Sequence, residues 1–332
     1  MPARSVKNQV NYIQKETTPG TPAVSAMKKL TAMRFSPGWA GASTPYMGGS
    51  SKVATSLLSV DEHGEWDVTG VQDFNNIGFP AQSRIAAPVI TTPATGVNAR
   101  QSVFSLNPDA VDTFASYTLQ YGDATQALQS AYAVFNSLGI KIQRGALDMS
   151  TSIVSKSPTT GATLASAGLT TVPSVTIPPR GYDIFADDTW AALGTTKLLA
   201  AYDLNLDMTP KFDMDAPINS SITSFESMVE KDDQAVNFDL TVGLDSAALG
   251  LMSTFAAGSL KFFRILVTGP IIETTIAYKF QLDFAAFILS RGKVAAASNS
   301  PAISVPLSCT LAKDPTTSNA LVMTLVNTML SY

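Results

Sequence analysis

The sequence predicts a mainly β protein: two antiparallel sheets packed face to face, a sandwich or partial barrel, with one short helix at its flank. Three observations carry this. Four stretches alternate apolar and polar residues with period two; Pro and Gly interrupt long tracts every few residues; and one window, near 245–257, has helical spacing. The 332 residues are 45% hydrophobic, enough apolar material for one large core, and only 14% charged. Polarity comes instead from Ser, Thr, Asn and Gln, which suits a β protein with much of its surface in contacts.

The elements follow in chain order. Residues 1–30 read as a polar N-terminal arm, because "ETTPGTP" at 16–22 excludes helix and central strand; residues 31–332 then form a single β domain. "SPGWAGASTPYMGG", "IGFPAQ" and "AAPVITTPATG" within 36–100 predict short strands and loops. Tyr132, Val134, Leu138, Ile140 and Ile142 hold every second position, with Asn136 the exception, and predict one strand. The Ser/Thr/Ala/Pro/Gly tract 155–181 reads as a long loop, or as an arm that orders against a neighbour. Leu198, Ala200, Tyr202, Leu204, Leu206 and Met208 alternate strictly, as do Val236 to Val242 and Tyr278 to Phe284. Strict alternation gives each strand a buried and a wet face. The wet faces carry Asp203, Asn205 and Asp207; Asn237, Asp239 and Thr241; Lys279, Gln281 and Asp283. If these strands share a sheet, it has one apolar face and one net acidic face. Pro210 in "TPKF" predicts a hairpin turn after Met208. The helix has Asp245 as N-cap, a stripe of Leu244, Ala248, Leu251, Met252 and Phe255, and Gly258 at the C′ position. Segments 137–155 and 203–220 align after one gap, which duplication and coincidence between two hydrophobic hairpins explain equally well.

Little in the chain points to catalysis. "DLNLD" at 203–207 has the spacing that opens a calcium-binding EF-hand loop, but the required glycine and glutamate are replaced by Met208 and Met214. A general acid–base pair is not excluded by spacing, yet no His, Cys or Arg cluster accompanies the aspartates. His63, the lone histidine, lies in the charged stretch "VDEHGEW" and reads as a solvated turn residue. Cys309, the lone cysteine, reads as a buried structural thiol and excludes an internal disulfide, which fits a reducing compartment. "GSSK" is too short for a P-loop and "GATLASAG" lacks its lysine. Trp39, Trp66 and Trp190 are scattered singly, as core or interface anchors. A net charge of −4 and a pI near 5.0 argue against a nucleic-acid-coating protein. No apolar run reaches membrane-span length, and the N-terminus lacks a signal-peptide core. The residues therefore predict a non-enzymatic protein with no cofactor or metal and no membrane insertion.

Three stretches carry a resemblance to a known family. They are "ETTPGTPAVSAMKKL" (16–30); "YTLQYGDATQALQSAYAVFNSLGIKIQRGALDMSTSIVS" (117–155); and 182–332, where "DTWAALGTTKLLAAYDLNLDM" leads through "EKDDQAVNFDLTV" and the helix to "KFFRILV" and "TLVNTML". In element order and pattern the chain resembles the major tail tube proteins of long-tailed bacteriophages; residues 36–100 match less clearly. The resemblance implies hexameric rings that stack into a tube around the tape-measure protein, capped by tail terminator and tail-tip proteins. Inner sheets of neighbouring subunits join into a β-barrel through which double-stranded DNA passes without specific binding. It implies a place in the virion tail, and in the host cytoplasm before assembly. N-terminal arms and long loops hold the rings together, which nominates Glu16, Pro19, Gly20, Pro22, Pro158, Pro173 and Pro178. The lumen-facing candidates are Asp203, Asn205, Asp207, Asp239 and Asp283, whose charge repels phosphate. The same residues also suit the outer surface of a sandwich, the lesser of the two readings. A β-sandwich binding or adhesion module of a virion or cell surface is the alternative, and a β-sandwich glycosidase would need two carboxylates facing a cleft with aromatic platforms.

Overall fold

The computed structural model describes residues 9–46, 56–93, 96–106, 108–109, 114–143, 145–215, 224–231, 236–296 and 303–332. It is mainly β, with 55% of residues in strands and 8% in helices. The first part of the chain forms β1 (Val10–Lys15), β2 (Lys28–Leu30), the hairpin β3 (Arg34–Tyr46) and β4 (Ser56–Thr69), helix α1 (Gly78–Arg84), β5 (Val89–Thr91) and β6 (Arg100–Ser105). The middle contributes β7 (Tyr117–Gly122), β8 (Ala127–Phe135), β9 (Leu138–Gln143), β10 (Ala146–Lys156), β11 (Thr159–Ala162), β12 (Thr170–Val172) and β13 (Asp183–Asp187), followed by a 3₁₀ turn at Trp190–Ala192. Then come β14 (Ala201–Met208), β15 (Phe212–Asp215), β16 (Ser227–Glu230), β17 (Val236–Gly243) and helix α2 (Ser246–Ala257). The chain ends with β18 (Leu260–Glu273), β19 (Ile276–Arg291), β20 (Ala295–Ala296), β21 (Ile303–Ala312) and β22 (Leu321–Asn327).

One layer runs β12–β2–β1–β7–β8–β11, antiparallel except for the parallel β12–β2 pair. The other is antiparallel throughout and runs β10–β9–β14–β17–β21–β19–β18–β13. At β19 this layer forks: Ala285–Arg291 pair with β21, while Lys279–Phe284 pair with β22, which leads on to β6 and β5. β10 turns the corner between the layers, its first half on β9 and its second half on β4 and β8. Among the described residues no closed barrel forms. Apolar side chains from both layers, among them Ile13, Tyr117, Leu206, Phe238, Phe263 and Phe284, fill one core. Phe238 lies 5.1 Å from Phe263 and 4.7 Å from Phe284 between ring centroids. Burial of each such ring contributes about 1.5–3 kcal/mol.

α2 forms where the spacing places it. The Asp245 side chain accepts from the Ala248 N–H at 3.0 Å, and Gly258 closes the helix in the left-handed conformation at φ 62°. Several other expectations are corrected. The tract 36–100 contains the 13- and 14-residue strands of a long hairpin and a buried helix, not only short strands and loops. Pro37 is accommodated because, among the described residues, β3 pairs only with β4, so no second ladder there needs its missing N–H. Pro80 is accommodated because it sits in the first turn of α1, where N–H groups have no intrahelical acceptor. Gly78 is required there: a Cβ would lie 2.0 Å from the Tyr332 ring.

The stretch around Asn136 is two strands with a corner. Tyr132 and Val134 point into a small cluster with Phe212 and Phe225, whereas Leu138, Ile140 and Ile142 enter the main core. The Asn136 side-chain oxygen accepts from the N–H groups of Lys211 and Phe212 at 2.9 and 2.8 Å, and this fixes the corner. The hairpin expected after Met208 does not form, because β15 pairs with β16 rather than with β14. The two segments considered as a repeat meet directly: β9 and β14 are antiparallel neighbours, with Ile142 opposite Leu204 and Ile140 opposite Leu206.

Residues 10–15 are not an arm but an internal strand between β2 and β7. Tract 155–181 is tied to the rest of the chain by β11 on β8 and by β12 on β2, not left as a free arm.

Candidate functional site

The wet side of the second layer is built by cross-strand register. In one row Asp148, Lys141, Asn205, Asp239 and Ser308 stand side by side on β10, β9, β14, β17 and β21. The next row runs Ser150, Gly139, Asp207, Asn237 and Thr310, and a third runs Ala146, Gln143, Asp203, Thr241 and Pro306. Their neighbours along each strand, including Leu204, Leu206, Phe238, Leu240, Leu307 and Cys309, are buried beneath them. Asp148, Asp207 and Asp239 are exposed; Asp203 and Asn205 are half-buried. The face thus presents four carboxylates against the single ammonium of Lys141. None of these four aspartates forms an ion pair among the described residues. In register each of Asp203, Asp207 and Asp239 is flanked by Gly, Gln, Asn, Thr or Ser, never by another carboxylate, which avoids the cost of like charges directly opposite. Below the face, burial, reinforced by the charge of Asp239, pushes the Cys309 thiol up to about 12, so it stays protonated and inert.

Asp283 departs from this group. It lies on the same side of the same layer but is buried, at 5% exposure, and its carboxylate takes two hydrogen bonds from Arg264, at 2.6 Å (Nε) and 2.9 Å (Nη2). The turn at Trp190–Leu193 covers this end: Leu193 and Trp190 pack on Phe262 and Ala285, and the Leu193 carbonyl accepts from Arg264 Nη1 at 2.9 Å. Asp187 holds the roof down by accepting from the backbone of Gly194, Thr195 and Thr196 and from the Thr195 hydroxyl.

The residues nominated as arm contacts are divided. Glu16 is buried within the chain; its carboxylate accepts from Gly20 N–H, Ser116 Oγ, Thr118 Oγ1 and Tyr132 N–H at 2.8–2.9 Å. Four donors on one carboxylate make it an internal clamp for the turn carrying Pro19 and Gly20. Pro158 is also buried; Pro19, Pro22 and Pro173 are exposed, and Gly20 and Pro178 are half-buried. His63 is not a solvated turn residue but a buried member of β4, 3.5 Å from Glu65. Trp66 is buried and donates to Ser155 Oγ at 2.9 Å, whereas Trp39 is 48% exposed.

Two clefts flank the face. One, of about 560 Å³, lies at the roofed end between Trp190, Phe262, Asp188 and the Asp314–Thr317 turn. Another, of about 530 Å³, borders Asp203, Tyr182 and Tyr202. Among the described residues no group of three or more His, Cys, Asp or Glu side chains is placed to hold a metal ion, and no helix is long and apolar enough to cross a membrane. No protein-family model matches the chain, and no curated protein is significantly similar to it.

Proposed function

We propose that the protein is a structural subunit of a bacteriophage tail tube, assembled as hexameric rings whose wet sheet faces line a channel for DNA. The observation that carries this reading is the open, acidic face across β10, β9, β14, β17 and β21. Among the described residues no element covers its polar side chains over five strands, and its charge is of the sign that repels a phosphate backbone. A wall of lysines would instead hold DNA through counterion release. The low charge content and the two-layer β construction support a subunit that hides surface in contacts. Tape-measure, terminator and tail-tip proteins are the further partners of this reading, and the virion tail its location.

Negative-stain electron microscopy of the purified chain, fresh and after concentration, tests it. The expected result is rings or hollow tubes of uniform width; separate small particles at every concentration, and in the presence of a tail-tip nucleus, count against it. In assembled tubes, Asp207→Lys with Asp239→Lys is expected to leave assembly intact and slow DNA ejection. A binding module is the second reading. The cleft beside Trp190 favours it, because an aromatic pair next to Asp188 and threonines suits ligand capture rather than a tube wall.

A further inference from the structure

The open face ends in an apolar strip. The row of Ser150, Gly139, Asp207, Asn237 and Thr310 continues across β19 and β18 as Phe287 and Leu260. Cross-strand partners share one side of a sheet, so Phe287 stands on the wet side beside Leu260, and it is 41% exposed. Leu260 in turn lines the cleft of about 560 Å³ at the roofed end, together with Trp190 and Phe262. Trp190 is half-buried there, its ring perpendicular to that of buried Phe262 with centroids 6.1 Å apart. Aromatic surface therefore runs from inside the cleft out onto the sheet.

Two turns, each fixed by a buried aspartate, wall this cleft. Asp187 holds the turn that carries Trp190, as described above. Asp314 holds the other, accepting from the N–H groups of Thr316 and Thr317 at 3.1 Å and from the Thr317 hydroxyl at 2.6 Å. Burial works against ionisation of Asp314, but these bonds outweigh it and keep the carboxyl below its usual range. Walls fixed in advance spare a ligand the cost of ordering them. The lining offers no free charge. Among the described residues no basic side chain lines the cleft; Asp188 already holds Lys261 at 2.5 Å, and the Asp314 oxygens are spent on their own turn. A cation thus meets no carboxylate without a partner. Neutral polar groups remain at the rim. Thr189 Oγ1 accepts from the Ala192 N–H at 3.2 Å, which leaves its proton to donate, and Thr316 is exposed.

We infer that this cleft binds a neutral oligosaccharide, with one sugar ring against Trp190 and a further ring on Phe287. The inference deepens the binding-module reading and rests on it. A sugar ring has an apolar C–H face, which stacks on an aromatic face, and a rim of hydroxyls, which needs uncharged donors and acceptors. The cleft supplies both: Trp190 and Leu260 for the face, and the hydroxyls of Thr189 and Thr316 with the Asp188 carboxylate, 86% exposed, for the rim. The second aromatic position, outside the cleft, calls for a chain of sugars rather than a single one. Hydrolysis needs two carboxylates able to work on the glycosidic bond, and Asp314 is committed to its turn, so the cleft holds sugar without cleaving it.

The test uses the full chain on an array of bacterial and animal glycans. Tryptophan fluorescence is then titrated with maltotriose, cellotriose, triacetylchitotriose and any glycan the array retains, each beside its monosaccharide. A Trp39→Phe background leaves Trp190 as the accessible tryptophan, since Trp66 is buried. The expected result is a saturable change with at least one oligosaccharide. Phe287→Ala is expected to weaken the oligosaccharide about tenfold and leave its monosaccharide unchanged. Asp188→Asn is expected to weaken both about fivefold. Both side chains are exposed, so the melting temperature should hold. Binding that neither variant alters places the sugar elsewhere and overturns the site. No response from any glycan overturns the saccharide class, and tetramethylammonium then separates the two failures. If it changes the Trp190 signal, the cleft takes a cation and the binding-module reading survives. If it does not, that reading falls with the inference, and the tube reading is judged by microscopy alone.

Discussion

The two ends of one sheet side carry the same sequence pattern and opposite environments. At the β14–β17 end, Asp203, Asp207 and Asp239 alternate with buried Leu206, Phe238 and Leu240 and stand open or half open. At the β18–β19 end, Asp283 alternates with buried Leu282 and Phe284 in the same way, yet it lies under a roof and against an arginine. Alternation is dictated by the pleat and reports only which side of a strand a residue occupies. What covers that side is decided by a distant loop, here 188–196. An aspartate facing water can be exchanged cheaply, whereas one facing a guanidinium under a roof cannot.

The largest expected effect comes from Asp283. Asp283→Asn leaves Arg264 in a partly buried place without its charge partner and is expected to cost about 3 kcal/mol, measured as a lowered denaturation midpoint. The double change Arg264→Met with Asp283→Leu is expected to recover most of this loss, because it removes the uncompensated charge together with its partner. Equal, additive losses from the two positions would show that the pair is not coupled and that the roofed end does not differ from the open one.

Asp187 gives a smaller effect with a pH signature. Burial works against its ionisation, but hydrogen bonds from the threonine side chains and from the Gly194 and Thr196 backbone outweigh it and hold the carboxyl below the usual carboxylate range. A depressed folded value means that the group's contribution is fully present above the unfolded value of about 3.9, and is lost as pH falls through the folded value. Asp187→Asn is therefore expected to cost about 1–2 kcal/mol at pH 7 and progressively less below pH 4. Hydrogen exchange at Gly194–Thr196 checks it: the variant's loss of protection is confined to the roof, and the wild type comes to resemble it in acid.

The sequence made the second half of the fold legible because its signals are local. Period two at 203–208, 236–242 and 278–284 marks strands whose parity the structure keeps, and Asp245 with Gly258 brackets a helix by its own caps. The first half was less legible because its determinants are tertiary. Pro80 reads as a breaker until its place in the first turn of a buried helix is known, and Pro37 until β3 is known to pair, among the described residues, with β4 alone. "ETTPGTP" reads as arm because nothing local shows that Glu16 gathers donors from residues 100 and more positions away. For the candidate site, Asp203, Asn205, Asp207 and Asp239 were readable as one wet face. Asp148 and Lys141 joined it only through strand register. The burial of Asp283 depends on Arg264 and Leu193, which no spacing connects to it.

The smallest expected effect is the one that sharpens the comparison most. Asp207→Asn and Asp239→Asn remove exposed charges whose cross-strand neighbours are neutral: Gly139 and Asn237 for Asp207, Asn205 and Ser308 for Asp239. No ion pair is broken, and the amide keeps the shape of the carboxylate. Each change is therefore expected to alter subunit stability by less than about 0.5 kcal/mol, the range of ordinary surface substitutions. The double variant also tests repulsion: with the mutual repulsion reduced on a net acidic face, the pair is expected to be neutral to slightly stabilising, and more so at low salt than at 0.5 M. A loss near that of Asp283→Asn would mean that these carboxylates hold hidden donors and that the face is a structural surface. A neutral result leaves Asp207 and Asp239 as acidic positions on an open sheet face at no benefit to the stability of the chain itself, which supports the role proposed for that face.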